Sequence, residues 1–328
     1  MRKKGLVERI VIGEAAESDF STERFPKNRK RLFLYLIKNK LSKIYKNHLL
    51  TALFFLPLIC WAIMSMGYSD WFFNLEAKEG LSHLVEYWFT TYVTAIPLWV
   101  LAFVGLSGGL NVIRKLAWSD PLIIKTDFFK GIKLSGKQMA IIGLIWGVLF
   151  AILRYFIDWL GFYYRVFDDS YSVVFGIFVC IFLILVLIGI TSYACCMASI
   201  YNVTFKELIL GAFKLYFADF FMATGVIILC LLPFLLLNMI GLAITTLISY
   251  LISLGLGIGV AIIPPFLVCQ HTFDRVINKK DYPGYYGRGL SYGVYNKGDT
   301  NLGTAEDDYD EKICDSLVED DFERVEND

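Results

Sequence analysis

The sequence predicts an all-α fold, a polytopic transmembrane helical bundle with six spans. Residues 220–273 form a run of 54 residues without Asp, Glu, Lys or Arg, and about 20 apolar residues already cross the hydrocarbon of a bilayer. The whole chain is 56% hydrophobic and 19% charged, whereas a soluble domain carries about 25% charged residues. In addition, segments rich in lysine and arginine alternate along the chain with segments that hold almost none.

The charge-free run at 220–273 is too long for one crossing. As a helix rising about 1.5 Å per residue it would extend over roughly 80 Å, and the hydrocarbon of a bilayer is only about 30 Å thick. We therefore expect two spans with a turn near Asn238, and four shorter apolar runs add four more. The six predicted spans are 49–67, 88–110, 139–157, 172–200, 220–238 and 249–271.

The lysines and arginines predict the orientation of these spans. Of the 31 basic residues, 25 lie in four segments that would share one side of the membrane. Because basic loops stay in the cytoplasm, we predict a multi-pass plasma-membrane protein with both termini cytoplasmic. The first apolar run begins only near Leu49, so no cleavable signal peptide is predicted. The four basic segments are 1–48, 111–138, 201–219 and 273–288.

The two terminal segments differ in composition from the bundle, residues 49–272. Residues 1–48 carry 13 basic side chains against 5 acidic ones, and from Leu32 onward their apolar residues follow a helical period. Such a basic amphipathic helix is typical of the headgroup level of a membrane, and it also suits a docking partner. Residues 273–328 are rich in Tyr and Gly and then acidic, with 12 acids over 305–328. The acidic block 305–328 of this cytoplasmic tail is predicted to be disordered, either as a solvated segment or as one that binds a partner.

A weak internal repeat runs through the spans. Residues 33–59, 128–149 and 208–234 each show an apolar or aromatic face, then lysine, then a span. One interpretation is three hairpin units, each with an interfacial helix that leads into two spans, and coincidence of composition is the alternative. Many transporters are built from internal repeats, but membrane bundles that transport nothing are too.

Residues that could carry chemistry are scarce. Arg154 is the charged residue that lies clearly within an apolar run, and Asp158 follows one turn later, at the spacing of a helical ion pair. Since intramembrane charges are functional candidates by default, an anion site is the alternative. His48 and His271 are both expected at the inner boundary, but neither has an Asp, Glu or Cys beside it at the spacing of zinc ligands. The sequence therefore predicts no catalytic residue, no cofactor and no metal site.

Glycines spaced four residues apart predict close helix packing. Small residues at this spacing allow the backbones of neighbouring helices to approach each other. Pro264 and Pro265 would kink span six near its inner end and free backbone carbonyls, either as a structural bend or as a gate. The predicted packing glycines are Gly105, Gly109, Gly143, Gly147, Gly255 and Gly259.

A resemblance to a known family lies in residues 109–149, which read GLNVIRKLAWSDPLIIKTDFFKGIKLSGKQMAIIGLIWGVL. This stretch resembles the YesL-like family of bacterial membrane proteins, in which a basic loop leads to F-F-x-x-[FI]-K and then N-[FW]-K-Q-A. The N-terminal LTALFFLPLICW is similar to the first span of that family. Genes of the family often accompany carbohydrate uptake systems, so the resemblance implies an accessory role and no catalytic residue. The matching positions are Phe128, Phe129, Lys133, Lys137, Gln138 and Ala140.

These observations predict a non-enzymatic membrane protein. The first hypothesis is an accessory or regulatory component of a membrane system such as carbohydrate uptake. It would contact the lipid bilayer and a membrane-protein partner through the basic arm or the acidic tail, and no nucleic acid. The alternative is a small-solute carrier or channel. Carriers coupled to protons or sodium usually place acids at mid-membrane, and the predicted spans hold none there, which favours the accessory role.

Overall fold

The computed structural model describes residues 26–73, 80–167, 170–239 and 243–291, and within these ranges the chain is helical without strands. Short π-helices occupy Phe89–Val93, Ser253–Gly257 and Asp274–Asn278. The α-helices are α1 (Arg29–Asn39), α2 (Leu41–Phe73), α3 (Gly80–Trp88), α4 (Thr94–Trp118), α5 (Ile124–Phe167), α6 (Ser170–Ile200), α7 (Phe205–Ala218), α8 (Phe220–Met239), α9 (Ala243–Ile252), α10 (Ile258–Ala261) and α11 (Ile263–Phe273).

Five of the described helical segments are long and apolar enough to cross a membrane, which confirms the predicted all-α polytopic bundle. A further pair of helices, Thr245–Gly255 and Ile258–Asn278, meets at a bend of 70° and makes a sixth, broken span if the two are counted as one crossing. The turn predicted between residues 238 and 249 is shorter in the structure, because α8 continues to Met239 and α9 already begins at Ala243. Residues 240–242 lie outside the described residues. The five continuous spans are Leu41–Ser65, Val85–Trp118, Ile124–Tyr164, Tyr171–Ile200 and Phe220–Leu237.

The lysine-bearing segments that precede the spans differ from the separate interfacial helices that the sequence predicts. In the second repeat unit, α5 runs for 44 residues without interruption and includes both the lysines and the span. In the first unit the chain breaks only at Lys40, so α2 already contains Lys43 and Lys46. In the third unit α7 and α8 are separate, with a break at Asp219. The three units of the predicted repeat therefore have different helical boundaries.

Local sequence explains where the shorter helices begin and end. The side chain of Asn28 accepts a hydrogen bond from the amide of Arg31 at 2.8 Å and so caps α1. Thr204 and Glu207 form a reciprocal capping box at the start of α7. Glu207 accepts hydrogen bonds from the side chain and the amide of Thr204, which lowers the pKa of the Glu207 carboxyl. At the end of α4, Ser119 adopts a left-handed conformation with φ 60° and stops the helix.

The predicted basic segments meet at one end of the bundle, which we call the basic end. It consists of α1, α7, and the parts of α4, α5, α6 and α11 that contact them. Arg114 donates to the carbonyl of Ser199 at 2.9 Å, which joins α4 to α6. The hydroxyl of Thr272 donates to Asp219 at 2.6 Å, which joins α11 to the break between α7 and α8. The larger of the two hydrophobic clusters among the described residues includes side chains of these elements, such as Leu36, Leu116 and Phe273.

Large apolar side chains cover the outside of α6 and α8. Phe175 and Phe178 on α6 and Phe221 and Leu229 on α8 are all more than half exposed, and Phe221 reaches 88%. A soluble protein rarely exposes so extensive an apolar surface, whereas lipid tails solvate it without penalty. These faces therefore fit contact with the bilayer.

Candidate functional site

A cavity of about 470 Å³ lies at the centre of the bundle, and all six spans contribute to its wall. The wall on α4 and α5 is a cluster of aromatic rings. Trp99 lies edge-on to Trp146 and to Phe150, with ring centroids 5.6 Å apart in both pairs. Trp146 and Phe150 stack at 5.7 Å. Offset and edge-to-face pairs of this kind are favourable geometries, so this wall is well packed.

The opposite wall, on α6, carries small side chains. Thr191, Ser192, Cys195 and Cys196 line the cavity there. The hydroxyl of Ser192 donates to the carbonyl of Ile188 one turn earlier at 2.8 Å, so its proton is already engaged. Thiols are weak hydrogen-bond donors. None of the lining residues carries a formal charge, and the cavity therefore suits neutral, apolar molecules.

One polar atom of the cavity wall lacks a partner. The indole Nε1 of Trp146 is buried and makes no hydrogen bond with any described residue, while the side chain is 7% exposed. An unsatisfied buried donor typically destabilises a protein by about 1–3 kcal/mol. Nε1 of Trp146 is thus a buried donor without a partner among the described residues, and it does not open onto the cavity.

His48 holds the break in the sixth span. It is fully buried on α2, and its Nδ1 accepts a hydrogen bond from the amide of Gly259 at 3.0 Å. This leaves Nε2 to donate to the carbonyl of Leu254 at 2.6 Å. Backbone groups freed by a helix break inside a membrane need protein partners, and one imidazole supplies both. The ring is therefore neutral, with its proton on Nε2.

Pro264 and Pro265 lie in the first turn of α11, where a missing amide proton breaks no helical hydrogen bond. The 70° bend lies between Gly255 and Ile258, before the prolines. This bend follows the π-helix at Ser253–Gly257. A second break lies at Ile262, between α10 and α11 and just before Pro264 and Pro265. Pro265 itself lines the cavity.

The glycines of α4 that were predicted to pack closely do lie against α2. A methyl group on Gly105 would overlap with Phe54, and one on Gly109 would lie 2.6 Å from the hydroxyl oxygen of Thr51. Real Cβ atoms essentially never approach so closely. These two positions therefore set the distance between the helices.

Of the other four predicted glycines, three lie close to a neighbouring helix and one does not. A methyl group on Gly143 would lie 2.8 Å from Cβ of Phe103, and one on Gly147 would lie 3.4 Å from Cα of Ile96. A methyl group on Gly259 would lie 2.5 Å from Cβ of His48. Gly255 differs, since no heavy atom lies within 4 Å of the same position. It lies in the π-helix before the bend and makes no close contact there.

The predicted ion pair forms at the end of the bundle opposite the basic end. Arg154 Nη2 lies 3.1 Å from Asp158 Oδ1. The hydroxyl of Tyr92 donates to Asp158 and accepts from Nε of Arg154 at 3.1 Å. Both charged groups are therefore paired and joined through one tyrosine. Sequence reasoning missed Tyr92, because it lies 62 positions before Arg154.

At the basic end, a second ion pair joins the two ends of the described chain. Nη2 of Arg29 lies 2.6 Å from Asp274, and both side chains are 9% exposed. Nη1 of Arg29 donates to the carbonyl of Arg288 at 2.9 Å. Asp274 also accepts from the side chain of Asn278 at 2.8 Å and from the amide of Gly287 at 3.2 Å. The carboxylate of Asp274 is thus bound by three residues, Arg29, Asn278 and Gly287.

The segment 282–291, which the sequence assigns to the Tyr- and Gly-rich part of the tail, packs against the basic end. Tyr285 stacks on Trp118 at 5.3 Å, and the guanidinium of Arg288 lies 4.7 Å from the centre of the Trp118 ring. Gly289 has φ 80° and packs against the carbonyl of Ala117 so closely that a methyl group would overlap with it. We call this segment, together with Arg29 and Asp274, the clasp.

Tyr201 completes the clasp from the end of α6. Its hydroxyl donates to Asn278 at 2.5 Å. Burial, and then the charge of Asp274, raises the pKa of Tyr201, so that its hydroxyl stays protonated and available as a donor.

Of the two histidines expected at the inner boundary, His48 is buried in the bundle and His271 is exposed. Among the described residues no three or more His, Cys, Asp or Glu side chains gather as a metal site would require.

Comparisons with protein-family models, with curated proteins and with solved structures gave no match. The resemblance in residues 109–149 therefore stays a prediction.

The sequence did not point to the roles of His48, Trp146 and Tyr92. A histidine directly before the first apolar run was the signal for His48, and the other two are common aromatic residues in a membrane protein.

Proposed function

We propose that the protein is a non-catalytic component of the plasma membrane that assists or regulates another membrane system. Carbohydrate uptake is the first system to test, because the resemblance in residues 109–149 suggests it. The observation that supports this function best is the absence of charge from the wall of the central cavity. An ion-coupled carrier needs ionisable groups at mid-membrane, whereas Arg154 and Asp158 neutralise each other at one end.

The clasp supports a partner-binding role for the terminal segments. The amide of Ser291 donates to the carbonyl of Pro26 at 3.2 Å, so the segments before and after the bundle start from neighbouring points. In the proposed orientation both are cytoplasmic. The N-terminal segment carries the first basic residues, and the C-terminal segment holds 12 acidic residues over 305–328. A partner bound there would lie close to the ion pair of Arg29 and Asp274. This pair joins α1 to the π-helix that follows α11.

Recovery of the protein from native membranes in mild detergent tests this function. The full chain is compared with a version that ends at Thr304 and with one in which the acids of 305–328 are replaced by their amides. We expect a stoichiometric membrane protein with the full chain, and its loss from both variants because the acidic charge binds it. Recovery of the chain without any stoichiometric partner would contradict the proposal.

A small-solute carrier or channel is the second candidate. The observation that favours it is the broken sixth span beside a cavity that all six spans line. Discontinuous helices form the substrate sites of many transporters. Here the two hydrogen bonds of His48 fix the break to α2, and a moving gate would have to release both of them. Solute uptake into liposomes that contain the purified protein separates the two candidates.

A further inference from the structure

We propose that the exposed face of α5 binds an anionic phospholipid of the bilayer. The headgroup phosphate lies at Lys133 and Lys137, and an acyl chain follows the apolar side chains that come after them on the same helix. The inference goes beyond the proposed function and does not depend on any partner of the terminal segments. The ligand belongs to one chemical class, the glycerophospholipids with a net negative headgroup.

The continuity of α5 carries the first step. Because the helix runs for 44 residues without interruption, its lysines and its apolar residues have fixed positions relative to each other. Positions i, i+4, i+8 and i+11 lie on one side of a helix. The other side is buried, and Gly143 there packs against α4. The exposed residues with this spacing are Lys133, Lys137, Ile141 and Leu144.

The length of α5 places the two lysines at the level of the headgroups. At about 1.5 Å per residue the helix extends over roughly 66 Å, more than twice the thickness of the hydrocarbon, about 30 Å. The span predicted from the sequence begins at Met139. Along the helix axis Lys137 then lies about 3 Å and Lys133 about 9 Å outside the hydrocarbon. The headgroup layer is roughly 5–8 Å thick on each side, so both long side chains reach it.

The charge around these lysines carries the third step. Residues 124–138 hold four lysines and one acid, Asp127, and Asp127 is already paired with Lys115 at 2.9 Å. The side chains of Lys133 and Lys137 make no hydrogen bond or ion pair with any residue of the described ranges. Clusters of four or more basic residues directly beside a membrane span are typical of binding sites for anionic lipids. The two free ammonium groups therefore fit a phosphate.

Apolar side chains continue the same face into the membrane. Ile141, Leu144 and Val148 lie one to three turns after Lys137, and each is more than a third exposed. Lipid tails solvate such side chains without penalty. A water-soluble anion would use the lysines alone, whereas a phospholipid uses the lysines and the apolar side chains together. The face of α5 therefore favours a lipid over a free anion.

Lipid retention by the full-length protein, purified in a neutral detergent, tests this proposal. Native mass spectrometry counts the bound lipids in separate titrations with dioleoyl phosphatidylglycerol and dioleoyl phosphatidylcholine. The two lipids share their acyl chains and differ in the charge of the headgroup. A lysine near an anionic surface strengthens binding by about fivefold. We therefore expect one phosphatidylglycerol per chain, with a preference over phosphatidylcholine of roughly five- to thirtyfold.

Variants of the two lysines test the headgroup contact. Lys133→Gln combined with Lys137→Gln should remove the preference for phosphatidylglycerol. The matched control is Lys279→Gln combined with Lys280→Gln, which removes the same charge at two exposed positions after the sixth span and should keep the preference. Lys133→Arg combined with Lys137→Arg retains both charges and should keep it as well. Melting curves of each variant establish that it is folded.

A phosphatidylglycerol with a diazirine in one acyl chain tests the location. This measurement uses the wild-type protein and so does not depend on the folding of any variant. At one lipid per chain, photolysis should form adducts within residues 141–148 of α5, and an excess of unlabelled phosphatidylglycerol should remove them. Leu229, an exposed residue of α8, reports on lipid contact outside the proposed site.

Four results would overturn the proposal. Two concern the headgroup: equal retention of both lipids by the folded wild-type protein, and a preference that survives in the glutamine variant of Lys133 and Lys137 or falls equally in its control. The third is adducts at Leu229 as frequent as those within 141–148. The fourth is displacement of phosphatidylglycerol by an excess of inorganic phosphate, which would assign the lysines to a free anion. Retention in the presence of phosphate supports the lipid.

Discussion

Nδ1 of His48 accepts a hydrogen bond from the amide of Gly259 across 211 positions of sequence. The same ring donates to the carbonyl of Leu254 on the other side of the bend. One side chain of the first span thus satisfies the backbone on both sides of the break in the sixth. The break is stabilised by this contact because a membrane interior offers no water to replace it.

Replacing His48 should therefore destabilise the bundle strongly. In His48→Ala a buried amide and a partly buried carbonyl lose their partner, and at about 1–3 kcal/mol for each we expect a loss of roughly 2–6 kcal/mol in the free energy of unfolding. Unfolding by increasing denaturant in detergent measures it. His271→Ala is the matched control, since that histidine is exposed, and equal stability of the two variants would contradict the role of His48.

Two glycine positions on different spans should respond oppositely to the same substitution. Gly105→Ala places a methyl group in the volume of Phe54, while Gly255→Ala meets no heavy atom within 4 Å. Overpacking of a well-packed contact typically costs about 1–3 kcal/mol, so a lowered melting temperature is expected for the first variant. For the second we expect an unchanged or slightly higher value. A stable Gly105→Ala protein would show that α2 and α4 are not in close contact.

The ion pair of the clasp should be sensitive to loss of one partner. Arg29→Met leaves the carboxylate of Asp274 buried and without its cation, a change that typically destabilises by about 3–5 kcal/mol. Because the segment 282–291 bonds to both residues, chymotrypsin should then cleave faster after Tyr285 or Tyr286. Lys30→Met, at an exposed neighbouring position, should cleave as slowly as wild type. Arg29→Met combined with Asp274→Leu should recover part of the lost stability.

The ion pair at the opposite end should depend on Tyr92. Tyr92→Phe removes the hydroxyl that joins Asp158 to Arg154, and a hydrogen bond to a charged group contributes about 1.5–3 kcal/mol. We expect a comparable decrease in the free energy of unfolding. Tyr164→Phe, at an exposed position on the same span as Arg154, serves as the control. An effect of equal size in both variants would contradict the role of the Tyr92 hydroxyl at the ion pair.

The proposed orientation makes a labelling prediction. Cys314 lies in the acidic tail, outside the predicted spans. A membrane-impermeant maleimide should therefore label the protein in inside-out vesicles and leave it unlabelled in intact cells, and Cys314→Ser should remove the signal. Labelling of Cys314 in intact cells would place the tail outside and reverse the topology.

The sequence was sufficient for the helices that cross the membrane, because length and apolarity of a segment determine whether it can span a bilayer. The pair of Arg154 and Asp158 was also accessible, since both lie on one helix at a fixed spacing. The contact of His48 with the broken span was not, because it depends on how α2 packs against residues 211 positions away. Composition likewise suggested a loose segment at 282–291, whereas Gly289 packs tightly on Ala117.

Solute uptake into proteoliposomes tests the central claim. The claim is that the bundle, whose cavity lining carries no charge, serves another membrane system and does not carry solutes itself. The wild-type protein and Cys230→Phe, which fills the cavity, are reconstituted side by side with labelled sugars, amino acids and ions. The account predicts that neither variant raises uptake above that of empty liposomes. Saturable uptake by the wild-type protein that Cys230→Phe abolishes would contradict it and establish a carrier or channel.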